Sequence, residues 1–242
     1  MKSKMRTTAT IMLMVVVCLG MAGAAPKKIV IGITMQGNQS GFIQYITAGM
    51  WEWQKSNAPD VTLKVVFADD DATKQLTQVE TFVAQKVDAI IINPVDKVQS
   101  AAAVDIAAQA KIPILTVNTT TVSKNATAHV GSDDVEAGYL QMNRIIKVCG
   151  EKARVAYVDA VLGHSAQVGR TEGYKKALSE HPGATLVVHD TGNWSADDSM
   201  KLVENWIQRG LKIDAIACMA DCQLIGVVTA VKNANLIGKI VL

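Results

Sequence analysis

Short apolar runs alternate with longer amphipathic segments along the chain, and this alternation restricts the possible folds most strongly. After a first run at 28–33, the residues Phe42, Ile46, Met50 and Trp53 share one face of a predicted helix. Further strands are predicted at 63–67, 89–92, 114–117, 154–158, 184–188 and 215–219. Further helices are predicted around 76–82, and at 98–110, 133–148, 167–179, 197–208 and 224–235. Such alternation produces right-handed crossover units, so the sequence predicts an α/β protein with parallel sheets covered by helices on both faces.

The alternation falls into two series separated near residues 127–133, which indicates two similar doubly wound lobes. We place the first lobe at residues 25–131 and the second at residues 132–242. Hydrophobic residues make up 49% of the chain but aromatic residues only 5%, so the cores must be built mainly from Ala, Val, Ile and Leu. The two series share a pattern, and we identify no repeat at the level of individual residues.

Residues 1–24 have the pattern of a secretory signal peptide. Lys2, Lys4 and Arg6 form a basic start, an apolar stretch covers 11–19, and small residues at 22–24 provide a cleavage site before Ala25. The stretch is short for a transmembrane helix. The sequence therefore predicts export into a bacterial periplasm.

The charge of the exported chain excludes one class of partner. The sequence contains 24 Lys and Arg and 22 Asp and Glu, and three of the basic residues lie in the signal peptide. After cleavage the acidic residues therefore exceed the basic ones by one. A nearly neutral chain offers no electrostatic attraction for nucleic acid or for an anionic membrane surface.

The loops that follow the predicted strands are rich in small polar side chains. In open parallel sheets, ligands bind beyond the carboxyl ends of the strands, so these loops form the candidate site. They contain Asn, Gln, Ser, Thr and Asp, with Phe42 and Trp194 at their edges and almost no Lys or Arg. Amides and hydroxyls hold sugar hydroxyls while flat rings cover C–H faces, so the pattern favours a neutral polyhydroxyl ligand. The loops are 36–41, 68–71, 93–96, 118–123, 159–165, 189–194 and 220–221.

Catalytic and metal-binding patterns are not evident in the sequence. The acidic residues 69–71 precede a predicted helix, where carboxylates stabilise the helix dipole without any metal. His164 and Ser165 are sequence neighbours, which does not give nucleophile–base geometry, and no Gly-x-Ser-x-Gly motif is present. The other three histidines lack the spacing of metal ligands. We therefore expect a binding protein rather than an enzyme, with no cofactor and no metal.

Three cysteines lie outside the signal peptide. Cys218 and Cys222 flank three residues at a predicted strand-to-helix turn, and an oxidising compartment permits a disulfide between them. Sequence does not fix the β-carbon geometry that decides whether this bond forms. Cys149 is expected to be unpaired.

Several short motifs occur in an ordered series along residues 28–242. They are Ser-Gly-Phe-Ile at 40–43, Ile-Ile-Asn-Pro at 91–94, Gly-Ser-Asp-Asp at 131–134 and Arg-Thr-Glu-Gly-Tyr at 170–174. In this order, and after a signal peptide, they resemble the ribose-binding-protein-like group of periplasmic sugar-binding proteins of ABC transporters. That group shares its fold with LacI-type repressors. The resemblance implies the type I periplasmic binding protein fold.

The resemblance also implies a mechanism and a set of site residues. Two lobes would close on one sugar or polyol molecule by bending near Ser132, and the monomeric protein would deliver it to an ABC permease in the inner membrane. Phe42 and Trp194 would cover the ligand from opposite lobes, and Val168 would form a wall of the pocket. The residues assigned to the ligand site are Ser40, Phe42, Asn118, Thr119, Val168, Trp194 and Asp221.

Three departures from the family pattern argue against ribose itself. Asn118 and Thr119 stand where the family has Asp and Arg, Val168 stands where it has Arg, and Ala220 stands where it has Asn. Hydrogen bonds to charged groups contribute roughly 1.5–3 kcal/mol each, so their loss would weaken ribose binding. Another sugar, a polyol or a non-sugar solute fits this pattern better.

Other functions remain open at this point. A sensor that presents its closed form to a chemoreceptor or histidine kinase would use the same two lobes. The acidic loop at 69–71 keeps a cationic ligand such as a polyamine in consideration. A secreted enzyme ranks third, and the signal peptide together with the missing DNA-binding head excludes a transcription regulator.

The run at 240–242 has the composition of a further strand. The family pattern continues with a Gly-x-Asp turn whose Asp contacts the ligand, and then returns to the first lobe. We therefore expect a C-terminally truncated chain, with both lobes incomplete at Leu242. An unfinished core costs several kcal/mol, so residues 25–242 alone are expected to aggregate and to bind no sugar.

Overall fold

The computed structural model describes residues 28–38 and 40–242, so the predicted signal peptide lies outside the described residues. The strands are β1 (Val30–Met35), β2 (Thr62–Phe67), β3 (Ala89–Ile92), β4 (Ile114–Val117), β5 (Ala128–Val130), β6 (Arg154–Asp159), β7 (Thr185–Thr191) and β8 (Ala215–Cys218). The helices are α1 (Gly41–Asn57), α2 (Ala72–Ala84), α3 (Ala101–Gln109), α4 (Asp134–Cys149), α5 (Ser165–Glu180), α6 (Ala196–Gln208) and α7 (Asp221–Asn233). Within the described ranges, none of the helices is both long enough and apolar enough to span a membrane.

All strand pairings in the two sheets are parallel, as the alternation predicts. The first sheet has the order β2-β1-β3-β4-β5 and, with α1 to α3, forms the first lobe. The second sheet has the order β7-β6-β8 and, with α4 to α7, forms the second lobe. The predicted α/β class with two doubly wound parallel lobes is confirmed.

Strands β6 and β8 of the second lobe are buried on both faces, which explains their continuous apolar sequence. Val155 and Tyr157 of β6 pack with α4 and α5, whereas Ala156 and Val158 pack with α6 and α7. Successive side chains on a strand point to opposite faces, so one run of residues supplies two cores. The helices therefore lie on both sides of the sheet.

The first helix is present, but its buried face differs from the predicted one. Ile43 and Thr47 are buried and Ile46 and Met50 partly buried, whereas Phe42 and Trp53 are 58% and 63% exposed. The expectation that Phe42 and Trp53 face the same way as the core residues is wrong on this point. The stripe through Ile43 packs against β1, because it places residues at i, i+3, i+4 and i+7 over the sheet.

The structure also corrects the expectation that the lobes share no repeat in sequence. Residues 86–90 read Lys-Val-Asp-Ala-Ile and residues 212–216 read Lys-Ile-Asp-Ala-Ile. Asp88 Oδ2 accepts the backbone N–H of Val30 at 2.9 Å, and Asp214 Oδ2 accepts that of Arg154 at 2.8 Å. Each Asp therefore joins the start of one strand to the start of its neighbour, at the same place in each lobe.

Two Asp side chains cap helices at the positions where the sequence predicts helices to begin. Asp71 accepts the backbone N–H groups of Thr73 and Lys74, and Asp133 accepts those of Val135 and Glu136.

At the other end of the chain, Val241 makes a single parallel bridge with Ala215 beside β8. The expected run at 240–242 therefore lies along the edge of the second sheet.

Candidate functional site

The two lobes meet through loops that follow their strands. Three consecutive residues of the second lobe, 163–165, contact three different loops of the first lobe. Gly163 O accepts the N–H of Lys97 at 3.0 Å, and Ser165 Oγ accepts the N–H of Thr120 at 2.9 Å. Between them, His164 Nε2 lies 3.0 Å from Gln36 Oε1. The carboxyl ends of both sheets therefore face each other, as a ligand site between two lobes requires.

Asn93 fixes the strand ends of the first lobe. Its side chain is fully buried, and its Nδ2 donates to Val117 O at 3.1 Å and to Thr119 Oγ1 at 2.8 Å. The backbone N–H of Gln36 approaches Asn93 Oδ1 at 3.5 Å. Pro94 follows Asn93 and ends the strand, since proline has no N–H for the ladder. One amide thus positions the loops after β1, β3 and β4.

Asp159 has the corresponding place at the end of β6 in the second lobe. It is 2% exposed, and its Oδ1 accepts from Gln167 Nε2 at 3.1 Å. Its Oδ2 lies 2.6 Å from His189 Nδ1, and its backbone carbonyl accepts from Gln223 Nε2 at 2.6 Å. Several donors thus converge on one buried side chain. Asp159 therefore joins β6 and β7 to α5 and α7.

His164 is the most buried of the three residues 163–165, and Trp194 of the same lobe packs against it. His164 is 3% exposed, and the ring of Trp194 meets it edge-on, with centroids 5.1 Å apart. His164 Nδ1 and Trp194 Nε1 are both buried without a hydrogen-bond partner. Burial lowers the pKa of His164 to about 4, with a smaller contribution from the positive charge of Arg170. The imidazole is therefore neutral at physiological pH.

Trp194 also has an unusual backbone. Its φ is 57° and that of Asn193 is 52°, so both lie in the left-handed region after β7. Asn enters this region readily, but a bulky side chain there costs on the order of 1–3 kcal/mol. Such strain is typical of functional loops, because only a specific role maintains it.

Two of the predicted first-lobe residues follow β4. Asn118 is partly exposed, with a φ of 63°, and its N–H donates to Val130 O at 2.8 Å. Thr119 is 1% exposed, and its hydroxyl donates to Pro94 O at 2.8 Å while it accepts from Asn93. The geometry thus leaves Asn118 accessible and gives Thr119 a place in the framework of the loop.

The other two predicted first-lobe residues lie at the start of α1. Ser40 is the N-cap residue, and its side chain makes no capping hydrogen bond. Phe42 is exposed rather than packed in the core. Neither side chain has a capping or core-packing role that would compete with a ligand.

The predicted second-lobe residues divide between two places. Val168 lies in the first turn of α5, where its N–H donates to His164 O at 3.0 Å, so it is close to the contact between the lobes, as is Trp194. Asp221 begins α7 and lines a groove of about 700 Å³ beside β8. This groove is lined by second-lobe residues alone, among them Arg170. Arg170 is held there by Asp134 Oδ1 at 3.0 Å and by Met219 O.

The residues that join the lobes are not among the site residues predicted from the sequence. Gln36, Thr120, His164 and Ser165 all lie in loops that the sequence places after strands, but nothing distinguishes them from their polar neighbours. The signal that identifies them is spatial. Gln36 and His164 are 128 positions apart, so their contact depends on how the lobes are placed.

The acidic loop and the cysteines carry no further chemistry in the described part of the chain. Asp71 caps α2, and Asp69 pairs with Lys74 Nζ at 2.5 Å. Burial and the neighbouring Asp69 raise the pKa of Asp70 above its usual range. Cys149, Cys218 and Cys222 are free thiols. The described residues contain no cluster of three or more potential metal ligands.

Two doubly wound lobes that meet through their strand-end loops define the architecture of a two-lobed binding protein. The chain belongs to the periplasmic binding protein family, since the periplasmic binding protein domain matches residues 31–242. The resemblance to the ribose-binding-protein-like group is confirmed by this family match and by the similar proteins found.

Three similar proteins bind polyhydroxyl solutes. The xylitol-binding protein of Mycolicibacterium smegmatis is 31% identical over 86% of this chain, and the chain spans 59% of that protein. A Bacillus halodurans ABC transporter solute-binding protein with bound myo-inositol is 34% identical, with a TM-score of 0.85 over 90% of this chain and 75% of that one. An Actinobacillus succinogenes solute-binding protein with bound D-allose is 29% identical, with a TM-score of 0.79 over 88% of this chain and 77% of that one.

Proposed function

We propose that this protein is the solute-binding component of an ABC importer and captures a neutral sugar or polyol between its two lobes. The observation that carries the proposal is the contact between the strand-end loops of both sheets, made by residues 163–165 with the loops after β1, β3 and β4. Ligand capture by lobe closure needs this arrangement, and no covalent step is required. The domain boundary at 131 and 132 and the periplasmic location belong to the same proposal.

The chemistry of the loops supports a neutral ligand. Asn118 offers an amide beside the contact, and Trp194 offers an aromatic ring, which together suit hydroxyls and C–H faces. Arg170, in the second turn of α5, is already paired with Asp134. The relatives that bind xylitol, myo-inositol and D-allose support the same class. A polyamine receives less support, because two of the three acids at 69–71 already have partners.

The class of ligand is tested by a thermal-shift screen of the full-length mature protein. The panel contains myo-inositol, xylitol, D-allose and D-ribose, with spermidine for the cationic alternative. We expect the melting temperature to rise with a polyol or sugar other than ribose, since a ligand that binds only the folded state stabilises it. A rise with spermidine alone would overturn the assignment.

Trp194→Ala tests the aromatic contact. We expect at least a tenfold loss of affinity for the solute found in the screen, which is about 1.4 kcal/mol, measured by titration calorimetry. Trp194→Phe keeps a flat ring and should retain most of the affinity. Trp53→Ala removes an exposed tryptophan of α1 and should leave the affinity unchanged.

Because Trp194 also packs against the second-lobe core, each variant needs a melting curve beside its titration. Unchanged affinity in a folded Trp194→Ala protein would remove this residue from the site. Import is tested separately, by solute uptake in a strain that lacks the gene. Uptake that persists, together with a lost chemotactic response, would support the sensor instead.

A further inference from the structure

Residues 163–165, here called the latch, place one ionisable side chain in the middle of the contact between the lobes. The flanking contacts use the carbonyl of Gly163 and the hydroxyl of Ser165, which do not titrate. The central contact uses His164, whose ring is 3% exposed. Among these three contacts, His164 is therefore the one whose hydrogen bonding changes with protonation.

The geometry requires the neutral form of that ring. Gln36 Oε1 is an acceptor 3.0 Å from His164 Nε2, so Nε2 carries the proton and Nδ1 is the unprotonated nitrogen. His164 Nδ1 is buried without any partner. A proton added there would create a buried positive N–H without an acceptor, which is costly away from water.

The groups around the ring do not compensate for such a charge. Arg170, on the same helix, opposes it, and Asp96, from the loop after β3 in the other lobe, favours it. The remaining neighbours, Gln36 after β1 and Trp194 after β7, are uncharged. Asp96 Oδ1 already accepts the N–H groups of Val98 and Gln99. Burial is the largest effect on the pKa of His164, which falls from its ordinary 6.5 to about 4.

We propose that the latch is acid-sensitive, so that neutral His164 allows the lobes to stay together around the solute and protonated His164 separates them and releases it. The release step rests on the proposed function, whereas the response of the lobes to pH does not. This gives the protein a ligand affinity that is high at neutral pH and falls in acid.

The direction and size of the effect follow from proton linkage. When the lobes separate, His164 is exposed and its pKa returns toward about 6.5. Contact is therefore favoured above this pH, weakens as the pH falls through it, and loses no more below about 4. The expected loss of affinity between pH 7.5 and pH 5.5 is about tenfold.

The experiment is calorimetric titration of the full-length mature protein with myo-inositol at pH 7.5 and pH 5.5. The wild type should lose about tenfold in affinity, and His164→Gln, which can still donate to Gln36, should lose less than twofold. His181→Gln is the matched control, since His181 contacts Glu151 and Asn143 within the second lobe. It should behave as the wild type.

Gln36→Glu should abolish or reverse the pH dependence of the affinity. A carboxylate opposite the ring stabilises protonated His164 with the lobes in contact, so affinity should hold or rise as the pH falls. This variant also keeps the proposal testable if His164→Gln fails to fold. A tenfold loss that persists in both His164→Gln and Gln36→Glu would overturn the proposal.

A readout without any solute separates the two proposals. Histidine ring resonances followed by NMR should show one group that titrates below pH 6.5 and vanishes in His164→Gln. Small-angle scattering should show a larger radius of gyration at pH 5 than at pH 7.5 in the wild type but not in His164→Gln. If both hold and no sugar binds, the latch stands and the proposed solute class fails. If His164 titrates near 6.5 and the radius stays constant, the latch is wrong.

Discussion

The helices of the two lobes are packed in different ways. In the second lobe α4 and α5 approach so closely that a β-carbon on Gly173 would lie 2.1 Å from Val135 O and 2.5 Å from Tyr139 N. In the first lobe α1 packs through Ile43, Ile46 and Met50, and a β-carbon on Gly49 would meet no atom within 4 Å. The packing of α4 on α5 therefore depends on the absence of a side chain at Gly173, whereas the packing of α1 depends on the shape of its side chains.

This difference bears on what each lobe tolerates. Backbone-to-backbone packing fixes α4 and α5 as a unit, so any added atom must move a whole helix. The outer face of α1 instead carries exposed rings, with Tyr45 79% exposed. Stability should therefore respond to small substitutions in opposite directions in the two lobes.

The largest expected effect is that of Gly173→Ala. Its new methyl group would overlap backbone atoms of α4, so we expect the free energy of unfolding to fall by more than about 3 kcal/mol. Gly49→Ala is the matched change on α1. It should raise the free energy of unfolding by about 0.5–1 kcal/mol, since alanine favours a helix. Urea denaturation of both variants measures the two changes. Equal effects of the same sign would contradict the packing difference.

The buried residues at the strand ends give the second comparison. Asn93→Asp places a carboxylate against Val117 O, which cannot donate, and should cost about 2–3 kcal/mol at pH 7.5. A protonated carboxyl can donate one hydrogen bond, so this cost should shrink as the pH falls.

Asp159→Asn is the converse change and should cost less, about 1 kcal/mol. The new amide can donate to His189 Nδ1 once the neutral ring carries its proton on Nε2, so the hydrogen bond is reversed rather than lost. Urea denaturation midpoints of Asn93→Asp and Asp159→Asn between pH 5 and pH 7.5 test which substitution costs more stability. A larger loss for Asp159→Asn would show that the charge of Asp159, rather than its hydrogen bonds, stabilises the second lobe.

The smallest expected effect concerns the repeated Asp at the strand starts. Arg154 adds two side-chain bonds to Asp214, at 2.9 Å and 2.5 Å, where the first lobe has Val30. Arg154→Val makes the lobes alike, and both partners are partly exposed, so the midpoint should move less than in Asp159→Asn.

The pH dependence of this pair has a defined sign. The hydrogen bonds from Arg154 lower the pKa of Asp214 from 3.8 to about 2. Its stabilisation is therefore complete above about 4 and is lost as the pH falls toward 2. The difference between wild type and Arg154→Val should disappear over this range, and a difference that persists at pH 2 would point to packing by the Arg154 stem.

Particular elements show how far sequence reasoning reaches. The sequence predicts the strand at 89–92 with the same bounds as the structure. Its apolar stretch is followed by Asn93 and Pro94, and proline ends a strand because it has no backbone N–H for the ladder. Helix α1 was placed, but its buried face was not, because stripes through Phe42 and through Ile43 are both apolar. The packing of α1 on β1 selects the second stripe, and that packing is a long-range effect.

The sequence by itself determined the order of strands and helices, the parallel α/β class and the loops in which a site must lie. These depend on periodicity, on caps such as Asp71 and Asp133 and on the covalent restrictions of proline, all of which act over a few residues. Only the tertiary structure decided that Gln36 meets His164 and that Trp194 packs against that ring. The first contact depends on how the two separately packed lobes are oriented, and the second on how the loops after β6 and β7 pack within the second lobe.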